Sequence, residues 1–186
     1  VAEVAKKLAI GTAQFGMPYG VANQKGQVGQ KEITAILSVA RTKGINTLDT
    51  AKAYGTSEEA IGNHLKAGLN TSWQIITKIS DDQKGLSNQI RDSIKKLSVC
   101  PTTVLAHSAG LFLNDVFQVE LQKVREDHPI SNIGVSIYTE TEINQVLGSD
   151  FKPGIIQLPL NILDTRLYRS GVLRLLNEEG VKIHAR

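Results

Sequence analysis

Short runs of apolar residues alternate along this chain with longer stretches in which apolar positions recur every three to four residues. The first pattern is that of strands buried on both faces, and the second that of amphipathic helices laid over them. Strands are expected near Leu8 to Thr12, Ile45 to Asp49, Gln74 to Ile79, Thr103 to His107, Asn132 to Ser136, Gly154 to Leu158 and Val181 to Ala185, with helices between them. One helix is expected over Lys31 to Thr42, because Ile33, Ile36, Leu37 and Ala40 fall at helical spacing and Lys43-Gly44 supplies a basic last turn and a glycine stop. Another is expected to follow Ser57 as N-cap, with Ala60, Ile61 and Leu65 on its buried face. The charge runs Lys95-Lys96 and Glu178-Glu179 read as solvated helix faces.

Repeated βα units imply a parallel sheet, either closed into a (β/α)8 barrel or open and doubly wound. Asp49, Lys78, His107, Ser136 and Gln157 lie at or just beyond the C-terminal ends of five successive expected strands, which is where barrel enzymes assemble their sites. An open sheet instead gathers its ligand at one switch point, often beside a Gly-rich turn. Gly11-Thr12-Ala13-Gln14-Phe15-Gly16 does not fit the Gly-x-Gly-x-x-Gly form of such a turn. The expected fold class is therefore α/β, a (β/α)8 TIM-type barrel in a single domain spanning residues 1–186. A complete barrel takes about 250 residues. With seven strands counted by Arg186, the barrel is expected to be incomplete, its last βα units missing. Strands one and seven would then have unpaired edges, which a homo-oligomeric partner could cover.

Composition narrows the function classes. A net charge of +3 comes from Lys and Arg scattered along the chain, without a basic patch, so nucleic acid is not an expected partner. Cys100 is the only cysteine, which excludes an internal disulfide and a cysteine-rich metal site and suits a reducing, cytoplasmic compartment. No run of about 18 apolar residues and no signal-like leader occurs, so neither export nor a membrane is expected. His64 and His128 are expected at the surface, and with His184 they share no metal-ligand spacing; no metal is expected.

The most informative stretch is Asp49-Thr50-Ala51-Lys52-Ala53-Tyr54-Gly55-Thr56-Ser57-Glu58, an acid and a phenol five residues apart between a strand and a helix. It resembles the Asp-Thr-Ala-x-x-Tyr-Gly-x-Ser-Glu signature of the aldo-keto reductase superfamily, and the resemblance runs from Lys7 to Arg186. It implies a catalytic tetrad of Asp49, Tyr54, Lys78 and His107. In those roles Tyr54 is the general acid that protonates the carbonyl oxygen, and Lys78 favours its phenolate as a neighbouring positive charge. Asp49 holds Lys78 charged and aimed, and His107 hydrogen-bonds the substrate carbonyl. Taken singly, each residue also has a structural explanation: a turn cap, a half-buried aromatic, a solvent-facing lysine, a satisfied histidine. The four in this order on strands two, two, three and four point to a site.

The same resemblance implies the cofactor and its contacts. Ile133-Gly134-Val135-Ser136 is similar to the family's Gly-Val-Ser strand, with Ile137 where an asparagine usually stands, and Gln157 matches the strand-six glutamine. Ser136 and Gln157 are implied to hold the nicotinamide carboxamide. Gly11, Thr12 and Gln14, with Asp49, are implied to lie near the nicotinamide ribose. The resemblance implies NADPH, while the residues present leave NADH open. His107-Ser108-Ala109-Gly110 departs from the family's usual context.

The expected function is an oxidoreductase that reduces a small-molecule aldehyde or ketone, or oxidises the alcohol, by hydride transfer. Alternatives are a non-catalytic nicotinamide-nucleotide-binding regulatory module, an inactive fragment of such a reductase with weak cofactor affinity, and a Schiff-base aldolase using Lys78 as nucleophile.

Overall fold

The alternation of periodicities becomes seven parallel strands among the described residues, the first six each followed on the outside by helix. In the computed structural model, which describes residues 2–68, 72–81 and 85–186, the chain begins with a short helix α1 (Ala2–Ala5). It continues through β1 (Ala9–Gly11), α2 (Ala13–Gly16), α3 (Gln30–Thr42), β2 (Thr47–Asp49), α4 (Ser57–Lys66), β3 (Gln74–Ile79) and α5 (Leu86–Leu97). Next come β4 (Thr103–Ala106), α6 (Ala109–Phe112), α7 (Asp115–Asp127), β5 (Asn132–Ser136) and α8 (Glu140–Gly148). The chain ends with β6 (Ile155–Leu158), α9 (Arg166–Arg169), α10 (Val172–Glu178) and β7 (Lys182–Ala185). Every expected strand is present, shorter by one or two residues at some ends, where strand pairing frays first.

The strands pair in chain order, β1 to β7, and every pair is parallel. In a flat sheet β2 and β6 would lie about 19 Å apart, four spacings of about 4.8 Å. Here the Gln157 side chain on β6 donates Nε2 to Asp49 Oδ1 on β2 at 2.9 Å. The sheet is therefore curled into an incomplete (β/α)8 barrel, and among the described residues β1 and β7 are its two edges. The central strands β4 and β6 are buried at every position, as strands covered on both faces must be. Most of the core lies between the sheet and its outer helices: Ile33, Leu37, Ile61 and Leu97 on one side, Phe112, Leu121, Val146 and Leu176 on the other.

Helix α3 ends at Thr42, with Lys43 at its C-cap and Gly44 at φ +83°, a left-handed conformation that glycine adopts without strain. Two expectations about α4 are corrected. Ser57 is its first helical residue, with Thr56 at the cap position, and the Ser57 hydroxyl instead bonds Thr12. His64 is 2% exposed. Helix α4 packs against both α3 and α5, so Gly62 and His64 face protein and not solvent. A single amphipathic stripe, the basis for placing His64 at the surface, describes a helix with only one covered face.

Candidate active site

Asp49 ends β2, and its carboxylate receives the Lys78 ammonium from the adjacent strand β3 at 2.9 and 3.0 Å. Lys78 is 1% exposed. A lysine so deeply buried requires an anion and further acceptors, and it has them: Nζ also donates to the Thr50 carbonyl at 2.9 Å and lies 3.3 Å from the Tyr54 hydroxyl. It also sits 4.8 Å from the centre of the Tyr54 ring. Burial lowers the Lys78 pKa, and the Asp49 charge and hydrogen bond oppose that effect.

The loop that carries Tyr54 is held by contacts too close for any side chain. A Cβ on Gly16 would stand 1.7 Å from the Tyr54 carbonyl oxygen, and one on Gly55 would stand 2.3 Å from the Gly16 carbonyl oxygen. Gly55 also has φ +56°. The loops after β1 and β2 thus interlock back to back at the two glycines. Beneath them runs a chain of buried hydroxyls. Thr50 donates to Ser57 Oγ at 3.0 Å, Ser57 Oγ lies 2.9 Å from Thr12 Oγ1, and Thr12 donates to the Asp49 carbonyl at 2.9 Å. One residue further on, buried Glu58 accepts from Thr77 at 2.7 Å, tying the start of α4 to β3 next to Lys78. The Ser57-Glu58 end of the sequence signature is therefore a fastening for the loop that presents Tyr54.

His107 follows the end of β4 and is half-buried, with its Nδ1 3.4 Å from Ser80 Oγ. Burial and the positive charges of Lys78 and Arg186 depress its pKa, with Asp49 opposing, which favours the neutral imidazole. Tyr54 does not follow the expectation that Lys78 draws it toward phenolate. Its pKa is pushed up to about 12, first by burial and then by the Asp49 charge. The Arg186 charge opposes the rise. Lys78 is already shared with an anion, Asp49, so its charge reaches the phenol largely cancelled.

Ser136, the last residue of β5, is buried beside Gln157 in register. Gln157 Nε2 donates to Asp49 and lies 3.3 Å from His184 Nδ1, while its buried Oε1 has no hydrogen-bond partner among the described residues. Thr12 is wholly buried and its hydroxyl serves the Asp49 carbonyl. Gly11 ends β1 in register with Asp49. Gln14 stands apart: it is exposed, and its amide donates to the Tyr19 carbonyl at 2.8 Å.

The fold adds residues that were not expected here. Arg186 follows β7 and stacks on Tyr138 with its guanidinium carbon 4.2 Å from the ring centre, and its charge is felt at Tyr54, Lys78, His107 and His184. The strand-end rule that singled out Asp49 and Lys78 applies equally to His184 and Arg186, which lie at the exit of the seventh strand.

The family model for the Aldo/keto reductase family matches residues 7–186. Among solved structures, a candidate aldo-keto reductase of Pseudomonas aeruginosa is similar at 24% identity and a TM-score of 0.79, over 96% of this chain and 72% of that one. An aldo-keto reductase from Bacillus halodurans in its holo form is similar at 20% identity and a TM-score of 0.77. That match covers 97% of this chain and 61% of the other. Aldose reductase from Giardia lamblia is similar at 18% identity and a TM-score of 0.69, over 86% of this chain and 62% of that one. This chain thus spans less than two thirds of the latter two proteins, and at these identities the likeness establishes the fold. No curated protein sequence is a significant match. Among the described residues, no helix is long and apolar enough to cross a membrane.

Proposed function

Because the chain belongs to the aldo/keto reductase family, we propose that it reduces an aldehyde or ketone, or oxidises the corresponding alcohol, with a nicotinamide nucleotide as its partner in hydride exchange. The observation that carries this proposal is the junction at Lys78 Nζ, where an ammonium at the barrel mouth touches both the Asp49 carboxylate and the Tyr54 phenol.

With its pKa near 12, Tyr54 is a neutral phenol across the working pH range and always holds a proton to give. The alkoxide formed when a carbonyl accepts hydride is a stronger base than phenolate, so proton transfer from Tyr54 runs downhill even from this raised value. As phenolate develops, the Lys78 ammonium at 3.3 Å gains an anion to bond. That contact strengthens in the transition state, which is what lowers a barrier. Asp49 keeps Lys78 aimed through both carboxylate oxygens. Neutral His107 has one ring N–H to offer the carbonyl oxygen. The protons of Lys78 Nζ are already committed to Asp49, Thr50 and Tyr54, which leaves no free amine for a Schiff base.

The residues at the end of β6 fit a nicotinamide carboxamide. Gln157 Oε1 is a buried acceptor without a partner among the described residues, suited to an amide N–H, and the Ser136 hydroxyl beside it suits an amide oxygen. When bound, the nicotinamide supplies or accepts the hydride. NADPH is the proposed form, on the strength of the family resemblance, with NADH as its competitor in the test. A small carbonyl compound is the proposed substrate.

The test is nicotinamide oxidation by the purified chain with 4-nitrobenzaldehyde as a broad carbonyl probe, alongside direct titration of NADPH and NADH. The nicotinamide's own fluorescence is the signal to follow. Trp73 precedes β3, at the opposite end of that strand from Lys78, and sits against Arg41. Turnover that disappears in Tyr54→Phe supports the proposal. Saturable cofactor binding with no turnover on any carbonyl would replace it with a nucleotide-binding regulatory role.

A further inference from the structure

The Gln157 amide is held by two neighbours on opposite strands, and what those neighbours accept determines which way it points. Asp49 Oδ1, at 2.9 Å, is a carboxylate oxygen and can only accept, so the amide nitrogen must be on that side. The same nitrogen lies 3.3 Å from His184 Nδ1, its register partner on β7. An amide N–H can bond that ring atom only if Nδ1 carries a lone pair. With both N–H groups engaged, Oε1 is turned away as a buried acceptor that nothing among the described residues satisfies.

We propose that His184 is a positioning residue of this site: as the neutral Nε2–H tautomer it accepts from Gln157, and with Asp49 it fixes the amide so that Oε1 is presented to an N–H donor on the ligand. The identity of that donor as a nicotinamide carboxamide rests on the function proposed above; the orientation of the amide does not.

The surroundings of His184 favour the neutral ring. It is half-buried, Lys78 from β3 and Arg186 beyond β7 both oppose a positive charge on it, and only Asp49 from β2 favours one. The cavity it lines beneath the site also carries Lys6, Lys7 and Lys182. Burial first, then the Lys78 and Arg186 charges, hold its pKa below the ordinary histidine value against the opposing pull of Asp49. Protonation would place an Nδ1–H donor against the amide N–H. Turning the amide over to relieve that clash would set Oε1 against the Asp49 carboxylate. Either arrangement loses the bond to Asp49 or the free acceptor, so acid should weaken ligand binding through this one ring.

The deciding experiment is nitrogen-15 NMR of the histidine rings in the unliganded chain, with His184 assigned by its disappearance in His184→Asn. The expected result at neutral pH is an Nε2–H ring with Nδ1 bare. An Nδ1–H ring, or an imidazolium, overturns the proposal whether or not the chain binds any nucleotide. A second arm compares NADPH with 2′-phospho-ADP-ribose, which lacks the nicotinamide. His184→Leu should weaken NADPH about five- to tenfold, the worth of one oriented hydrogen bond, and leave the fragment unchanged. His184→Asn, which returns an acceptor oxygen, should recover most of that loss and reduce the dependence of NADPH affinity on acid. Equal weakening of both ligands, or no rescue by asparagine, overturns the positioning role. A chain that binds neither ligand contradicts the function proposed above, while the ring tautomer still decides this inference.

Discussion

Lys78 Nζ lies 3.3 Å from the Tyr54 hydroxyl, yet the phenol is a weaker acid than free tyrosine, with a pKa near 12. Proximity to a cation does not by itself acidify a group. The cation is paired with Asp49 at 2.9 Å, so burial and the aspartate charge prevail at the phenol. In this arrangement Tyr54 stores a proton rather than standing ready as phenolate.

Tyr54→Phe removes that proton and almost nothing else, since the ring stays and the loop is held by Gly16, Gly55 and Ser57. Carbonyl reduction should fall by about 10²- to 10⁴-fold, the usual worth of a positioned general acid. Cofactor affinity, measured by fluorescence titration, should be unchanged. Unaltered turnover would remove Tyr54 from the mechanism.

Lys78→Met leaves the Asp49 carboxylate in the barrel mouth with Gln157 as its one remaining side-chain donor among the described residues. Loss of one partner of a buried pair costs about 3–5 kcal/mol. Urea unfolding should show a drop toward the lower end of that range, because Asp49 keeps the Gln157 bond. The double variant Lys78→Met/Asp49→Leu should recover part of the loss, as no charge is then stranded. A double variant less stable than the single one would contradict this view of the pair.

Gly16→Ala forces a methyl against the Tyr54 carbonyl, 1.7 Å away in the present backbone. The two loops must separate, at a cost of about 1–3 kcal/mol. Thermal unfolding should shift down and turnover should fall with it, because the displaced loop is the one that presents Tyr54. Gly110→Ala, in helix α6 where a Cβ meets nothing within 4 Å, is the matched control and should lower neither.

His64 is buried and its pKa is depressed by that burial. The sign follows from linkage: the unfolded chain, with histidine near 6.5, binds the proton more readily than the folded one. The contribution to stability is therefore intact above about pH 6.5 and is lost as pH falls from there through the folded value. Urea midpoints at about pH 7.5 and pH 5.5 should differ less in His64→Gln than in the parent chain. An identical acid dependence in the two proteins would show that His64 does not carry this effect. His107 and His184 shift in the same direction, so the variant should remove a share of the acid sensitivity and not all of it.

The order of elements and their faces could be read from the chain because these are local properties. Apolar runs such as Ile75-Ile76 and Val104-Leu105 mark strands covered on both faces, and the spacing of Ile33, Leu37 and Ala40 marks one side of a helix. Ends of strands were legible for the same reason. Strand position alone thus puts Asp49, Lys78, His107, Ser136 and Gln157 at one end of the sheet. Only the tertiary structure decided which of those ends meet. The curl of the sheet accumulates over many strand pairs, and it brings Gln157 within 2.9 Å of Asp49 across four of them. It likewise decided that His64 lies under two neighbouring helices, that Gln14 turns back to the Tyr19 carbonyl, and that Arg186 bears on Tyr54. Burial and through-space charge depend on everything nearby and not on chain neighbours. For that reason the sequence by itself could nominate Tyr54 but could not set how tightly it holds its proton.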